Sequence, residues 1–504
     1  AMTTRRALLR SSLLGGSVAG LGSLDFLSRL QPVSAEEATP DPRGVLMHGE
    51  VEPLVRLLED TPRERVLEEV AARLQRGLSY RELLAALLLA GVRSIQPRPV
   101  GFKFHAVLVV HSAHLASLAA ADTDRWLPLF WAIDQFKSSQ AADVREGDWT
   151  MGPVEEKAVP PPHTARAALI AALDRWDEPA ADAAIVGLVR SAGANEIFDL
   201  LCRYGARDFR DIGHKEIYVA NSFRTLEVIG WHHAEPVLRS LVYALLDRSG
   251  TTANPADADL PADRPFRANL GRHAALRADW TTGTRDPGAT AALLATLRTG
   301  SADDASAGVI DLLGRGASPA ALFDALFSAS GELMMRDPGI VSLHASTFTN
   351  AVHYAWHRCG DDTTRRLLLL QNAAFLPLFR GDPKATGTPI DALEPLSPTA
   401  TGPDALGEIF HDIGTSRETA ARKALAWLQT QPDPHAFAAE ARRLVFLKGT
   451  NSHDYKFSSA VFEDAHALVP GWRDRFLAAS VYYLRGHSDP DNALAARIRS
   501  ALGA

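Results

Sequence analysis

The sequence predicts an all-α protein made of four tandem units of about 110 residues, four helices to a unit, arranged as an α-solenoid or a closed α/α ring. Three observations carry that expectation. Apolar residues recur at helical spacing, and strand-type alternation is sustained nowhere. Aromatics make up only 7% of the 504 residues while Ala, Leu and Arg abound, which favours helix over sheet. A polar, His-bearing segment also returns at the same place in four successive stretches.

In chain order, the first element is an export segment over 1–35. Thr4-Arg5-Arg6-Ala7-Leu8-Leu9-Arg10 resembles a twin-arginine export signal, followed by a Gly-rich, weakly apolar stretch from Leu13 to Leu24 and a small-residue cleavage site at Val33-Ser34-Ala35. The stretch is too short and too broken by Gly to span a bilayer, so no integral membrane segment is expected. The resemblance implies a periplasmic or secreted protein, a partner in the export machinery, and cargo that crosses already folded.

The four units follow over 45–157, 158–250, 251–380 and 381–504. Their second helices match best: Arg76–Gly91, Arg190–Gly205, Gly314–Gly331 and Thr430–Gly449. Each sets a Gly, Ser, Asn or Pro turn before an apolar run, as a helix start requires. The polar segments come next, at Gly101–His114, Gly213–Arg224, Ser342–His353 and Ser452–Phe462. Aligned without gaps, they place His105, Lys215, His344 and His453 in one column. A second column holds His111, Asn221, Asn350 and Ser459, and a third holds His114, Arg224, His353 and Phe462. A last helix closes each unit: Trp126–Phe136, Ala234–Leu246, Thr363–Phe379 and Trp472–Leu484. The Pro-rich stretches Ala158–Pro162, Thr251–Arg267 and Arg380–Pro403 read as surface linkers.

Composition excludes several functions. Lys plus Arg number 53 against 60 Asp plus Glu, a net charge of -7, and no long basic run occurs, so nucleic acid is not an expected partner. Two cysteines, Cys202 and Cys359, rule out a disulfide framework and leave one bridge open. The absence of CxxCH, of GxGxxG after a strand, of a P-loop and of GxSxG removes c-type haem, nucleotide cofactors and the α/β-hydrolase reading.

What remains is histidine chemistry. If the units bring their polar segments to one axis, His105, His111, His114, His214, His344, His353 and His453 form the candidate ligand set for a transition metal, iron, copper or zinc. Within it, His105 and His453, with Asp454 and Lys456, are the candidate catalytic groups. Lys103, Lys215, Asn221 and Asn350 are the candidate contacts to a small-molecule substrate. Lys448–Lys456 is the densest run of chemically capable groups in the chain. Trp231-His232-His233, His357-Arg358-Cys359 and His411-Asp412 read as packing, helix-end and turn residues.

The segments Phe104-His105 through His114 and Gly213-His214 through Asn221 resemble the questin-oxidase-like helical proteins, which carry His-rich helices at matching turns. The resemblance implies redox chemistry of the oxygenase or oxidase type. Two other readings stand beside it: a non-catalytic periplasmic helical-repeat binding or scaffold protein, and a zinc-dependent hydrolase or lyase. Any site built from these units is expected to be asymmetric, because the second holds Lys215 in the first column and the fourth holds Phe462 in the third.

Overall fold

The structure, a computed structural model, describes residues 45, 47–248, 254–380 and 387–503. The twin-arginine segment lies outside the described residues. Among those described there are twenty-three α-helices and no strand beyond an isolated bridge between Thr284 and Ala317, so the all-α expectation holds. Residues 43–504 form one unit, and one apolar interior runs from Met47 to Ile498 through all four stretches.

Each stretch carries five successive helices rather than four. In the second they are Pro162–Arg175, Glu178–Val189, Ala194–Gly205, His214–Ile229 and Ala234–Leu245. The segment expected to be a first helix is broken in two, and the break has a local cause. Asp177, Ser301 and Ser416 each accept a hydrogen bond from the backbone of the helix they start, and Pro62 stands at the corresponding place in the first stretch. Arg264–Arg272 and Ala493–Leu502 are additions to the pattern.

The fourth helix of each stretch is an inner one. These are His105–Leu108 continued by Val110–Leu118, then His214–Ile229, Ile340–Arg358 and Ser452–Asp464. They pack in a cycle: Val110–Leu118 on His214–Ile229, that helix on Ile340–Arg358, the third on Ser452–Asp464, and the fourth back on Val110–Leu118. The other helices pack around them by a constant rule. Ala234–Leu245 lies on Tyr80–Ser94, Asp362–Phe375 on Ala194–Gly205, and Pro470–Ser480 on Pro319–Arg336, each closing helix resting on the third helix of the stretch before. At the junction between the last stretch and the first, Ala493–Leu502 packs on Arg63–Gln75 and Leu127–Glu146. Ion pairs Arg497–Glu68 at 2.9 Å and Arg499–Asp124 at 3.0 Å lie at that junction.

The stretches expected to be surface linkers are partly built into the fold. From Arg264 the second one is helical and packs on Asp362–Phe375, where Asn269 donates to Gln371 at 2.8 Å in the interior. Just before it, Asp263 accepts from the buried Arg210 guanidinium at 2.9 Å. In the Pro-rich stretch before the fourth set of helices, Ile390 is fully buried. Buried apolar area and satisfied charge hold these segments down, and a reading of Pro and Asp content alone misses both. Cys202 and Cys359 are buried free thiols. Among the described residues no helix is long and apolar enough to cross a membrane.

Candidate metal centre

The inner helices run in the same direction, and their N-terminal ends bring four imidazoles together. His105, His214, His344 and His453 place one ring nitrogen each within 4.8 Å of one another. His214 Nε2 lies 3.1 Å from His105 Nε2 and 2.8 Å from His344 Nε2. The His453 ring centroid is 4.4 Å from that of His105 and 5.2 Å from that of His344.

Backbone carbonyls fix three of these rings. His105 Nδ1 donates to Phe102 O at 2.8 Å, His214 Nδ1 to Asp211 O at 2.6 Å and His344 Nδ1 to Ile340 O at 2.5 Å. A carbonyl only accepts, so the proton sits on Nδ1 and each Nε2 presents a bare lone pair to the common centre. His453 differs. No ring hydrogen bond holds it, and its Nε2 is buried without a partner. The cluster is three anchored imidazoles and one unanchored.

The chain makes special arrangements to reach this geometry. Asp211 and Ile212 take φ of 52° and 47°, and Phe102 takes 45°; these are three of the five non-glycine residues with positive φ among those described. Two of them, Phe102 and Asp211, supply the carbonyls that hold His105 and His214. Gly213, at φ 86°, starts the second inner helix where a Cβ would stand 2.6 Å from the Phe348 ring, so only glycine fits. In the fourth stretch an Asn451–Asp454 capping box sets the helix that begins at Ser452.

Electrostatics keep all four rings neutral. Burial, then the charges of Lys456 and neighbouring imidazoles, hold His105 and His344 well below the usual histidine range. For His214 burial leads, followed by His344 and Lys456. His453 is pushed down to about 3, by burial first and Lys456 second. Lys456 is itself buried, with Nζ 3.4 Å from His214 Nε2, and burial lowers it to about 7. Neutral Nε2 atoms 2.8 Å apart with no proton between them repel. A cation at their centre removes that repulsion. Metal–nitrogen bonds of about 2.0–2.1 Å in a tetrahedron put the nitrogens roughly 3.3 Å apart, a value inside the spread seen here.

Above the cluster opens a cavity of about 570 Å³, with Val100, Phe102, Gln135, Ile212, Ile340 and Ser452 in its wall and the four imidazoles at its base. Asp211 also lines it; burial, then the nearby Asp247 carboxylate, push it up to about 7. Below the cluster a second, small polar chamber is lined by Lys456, Arg224 and the whole second column, His111, Asn221, Asn350 and Ser459.

The remaining candidates have other partners. His214, not Lys215, takes the place in the second stretch; the left-handed turn at Asp211–Ile212 shifts the register by one residue. Lys215 is fully buried and donates to Asp208 at 2.9 Å and to Asp247 O at 2.7 Å. Lys103 pairs with Asp143 at 2.9 Å and Glu146 at 2.7 Å. Asn221 donates to Leu108 O, and Asn350 to Glu463 and Asp464, tying the inner helices to one another. Asp454 is engaged by backbone amides and Arg485. None of the five is among the residues that line the cavity above the histidines. His111 is buried in the lower chamber, His114 contacts Tyr80 Oη at 3.0 Å, and His353 meets His357 at 3.0 Å while packing on Phe323 and Phe327. They stand outside the ligand group. Gln135, Ile212 and Ile340 carry no sequence signal of their own, because single apolar or amide residues of this kind are common along any helical chain.

Comparison with known proteins finds no match: no family model, no curated protein sequence and no solved structure.

Proposed function

We propose that the protein is an exported, metal-dependent oxidoreductase of the oxygenase or oxidase type, acting on a small organic substrate received in the cavity above the histidines. The observation that carries this reading is the set of three Nε2 lone pairs, each fixed by a carbonyl on Nδ1 and all aimed at one point. Iron, copper and zinc all suit imidazole nitrogen. An all-imidazole set adds no negative charge, which favours the lower oxidation state of a redox ion, so the oxidised ion is a strong electron acceptor. That tilts the reading toward iron or copper.

In this reading His105, His214 and His344 are the fixed ligands. His453, free to turn, is the fourth ligand or the group that holds a proton near substrate, which leaves a position for chemistry as catalytic metal sites require. We also infer that the four sets of helices are related units in a closed α/α ring, since a ring brings one histidine from each to a shared axis. The twin-arginine resemblance supports export of the folded chain to the periplasm, with metal inserted beforehand.

The test is metal analysis of protein produced with its N-terminal segment intact, joined to an absorption spectrum. One equivalent of iron or copper with a visible band supports the oxidoreductase. One equivalent of zinc, colourless, favours the hydrolase or lyase. Well under one equivalent of any transition metal refutes the metal centre.

A further inference from the structure

The cavity above the histidines sorts its lining by chemistry. One part is apolar: Val100, Ile212, Ile340 and the ring of Phe102, which is 80% exposed at the rim. Ile340 and its neighbour Val341 extend that apolar rim, at 48% and 42% exposure. The other part offers the Asn451 amide, whose oxygen accepts from the His453 backbone N–H, and the Gln135 amide and the Ser452 hydroxyl, which no protein group engages among the described residues. No Arg or Lys lines the cavity. Its one carboxyl, Asp211, is turned toward Asp247. Away from the imidazoles the wall offers an anion no cationic side chain, and offers a cation only the Asp211 carboxyl. A strongly hydrated polyol would surrender its water to four apolar side chains for only a few hydrogen bonds.

We infer that the cavity binds a neutral, mainly apolar molecule with one hydrogen-bonding end, which Gln135 and Ser452 hold while the apolar body rests on Phe102, Ile212 and Ile340. An apolar wall with a few convergent polar groups is the common pattern of small-molecule sites, and about 570 Å³ falls in their size range. Exposed apolar side chains at a rim supply a further gain when a ligand covers them. The inference deepens the oxidoreductase reading by naming its substrate class, and it rests on that reading only for what the molecule is presented to.

The experiment is calorimetric titration of zinc-loaded full-length protein with 2-naphthol, a neutral probe with one hydroxyl, and with xylitol, a polyol. Zinc on the same sample is counted by elemental analysis. Saturable one-to-one binding of 2-naphthol is expected, with no measurable heat from xylitol. Ile340→Asp places a charge on the apolar wall and weakens 2-naphthol at least tenfold; an Asp at the first helical position suits the helix dipole, so the fold is kept. Gln135→Leu weakens it severalfold. Xylitol binding as tightly as 2-naphthol, or 2-naphthol binding untouched by both substitutions, overturns the inference. One equivalent of zinc without 2-naphthol saturation refutes the substrate class alone. Saturation without bound zinc refutes the metal centre and leaves the pocket standing.

Discussion

Replacing His344 by Ala strikes the best-buried ligand of the cluster and tests the centre directly. The ring is fully buried, held by Ile340 O and 2.8 Å from His214 Nε2. A metal that binds only the folded state stabilises it by about 4 kcal/mol when its free concentration is 1,000 times Kd. Losing one of three anchored nitrogens is expected to raise Kd at least about 100-fold, which at the same metal concentration leaves only about 1.4 kcal/mol. A unit of this size unfolds with an entropy near 1 kcal/mol per degree, so the metal-dependent rise in Tm should fall from about 4 °C to little more than 1 °C. Differential scanning fluorimetry with and without Cu²⁺, Zn²⁺ or Fe²⁺ reads this, each variant measured against its own metal-free baseline. His111→Ala is the control: it empties a comparable buried volume away from the cluster and should keep the full rise. A parent protein whose Tm ignores all three ions, or an H344A variant that keeps the full rise, refutes the reasoning.

Other outcomes follow from the same contacts. His453→Ala should retain close to one metal per chain by elemental analysis yet lose turnover, because three anchored imidazoles still hold the ion; loss of the metal instead makes His453 an ordinary ligand. His353 is pushed down to about 3, chiefly by burial, so its neutral ring contributes stability above the ordinary pKa of 6.5 and loses it as pH falls from there toward 3. Urea unfolding at pH 7.5, 6 and 5 should show that decline, and His353→Phe, which suits the contacts to Phe323 and Phe327, should lessen it by one imidazole's share, the other buried histidines keeping the rest. Lys215→Met leaves Asp208 buried with only Arg210 and Arg207 nearby, at 3.5 and 3.9 Å, and should cost about 3 kcal/mol without changing metal content. The Cys202 and Cys359 thiols are buried, and burial pushes Cys202 up, so Ellman's reagent should react with both only after unfolding.

Helical periodicity and the recurring polar segment were readable in the sequence because both are local: a 3.6-residue period, and a His after a turn. His105, His344 and His453 stood in one column for that reason. What was not readable depends on backbone paths. The left-handed turn at Asp211–Ile212 takes up a residue, and without it nothing distinguishes His214 from Lys215 beside it. Lys103, Lys215 and Asp454 looked chemically available because a sequence does not show that Asp143, Asp208 and Arg485 reach them. His111 and His353 share helices with two of the ligands but lie farther along them, where the helix axis has carried them past the cluster. The extra helix in each stretch was hidden by caps such as Asp177 and Ser416, short breaks in an otherwise unbroken apolar pattern.

The four ligands lie at 105, 214, 344 and 453, one on each inner helix, and the last helix of the chain returns to the first stretch. No contiguous fragment therefore contains the coordination sphere. Translation must pass residue 453 before His453 can join the other three, and a chain cut short of it offers at most an incomplete set. If the proposed ion binds there, its occupancy would report long-range closure of the fold, and a partly folded chain would hold no complete site.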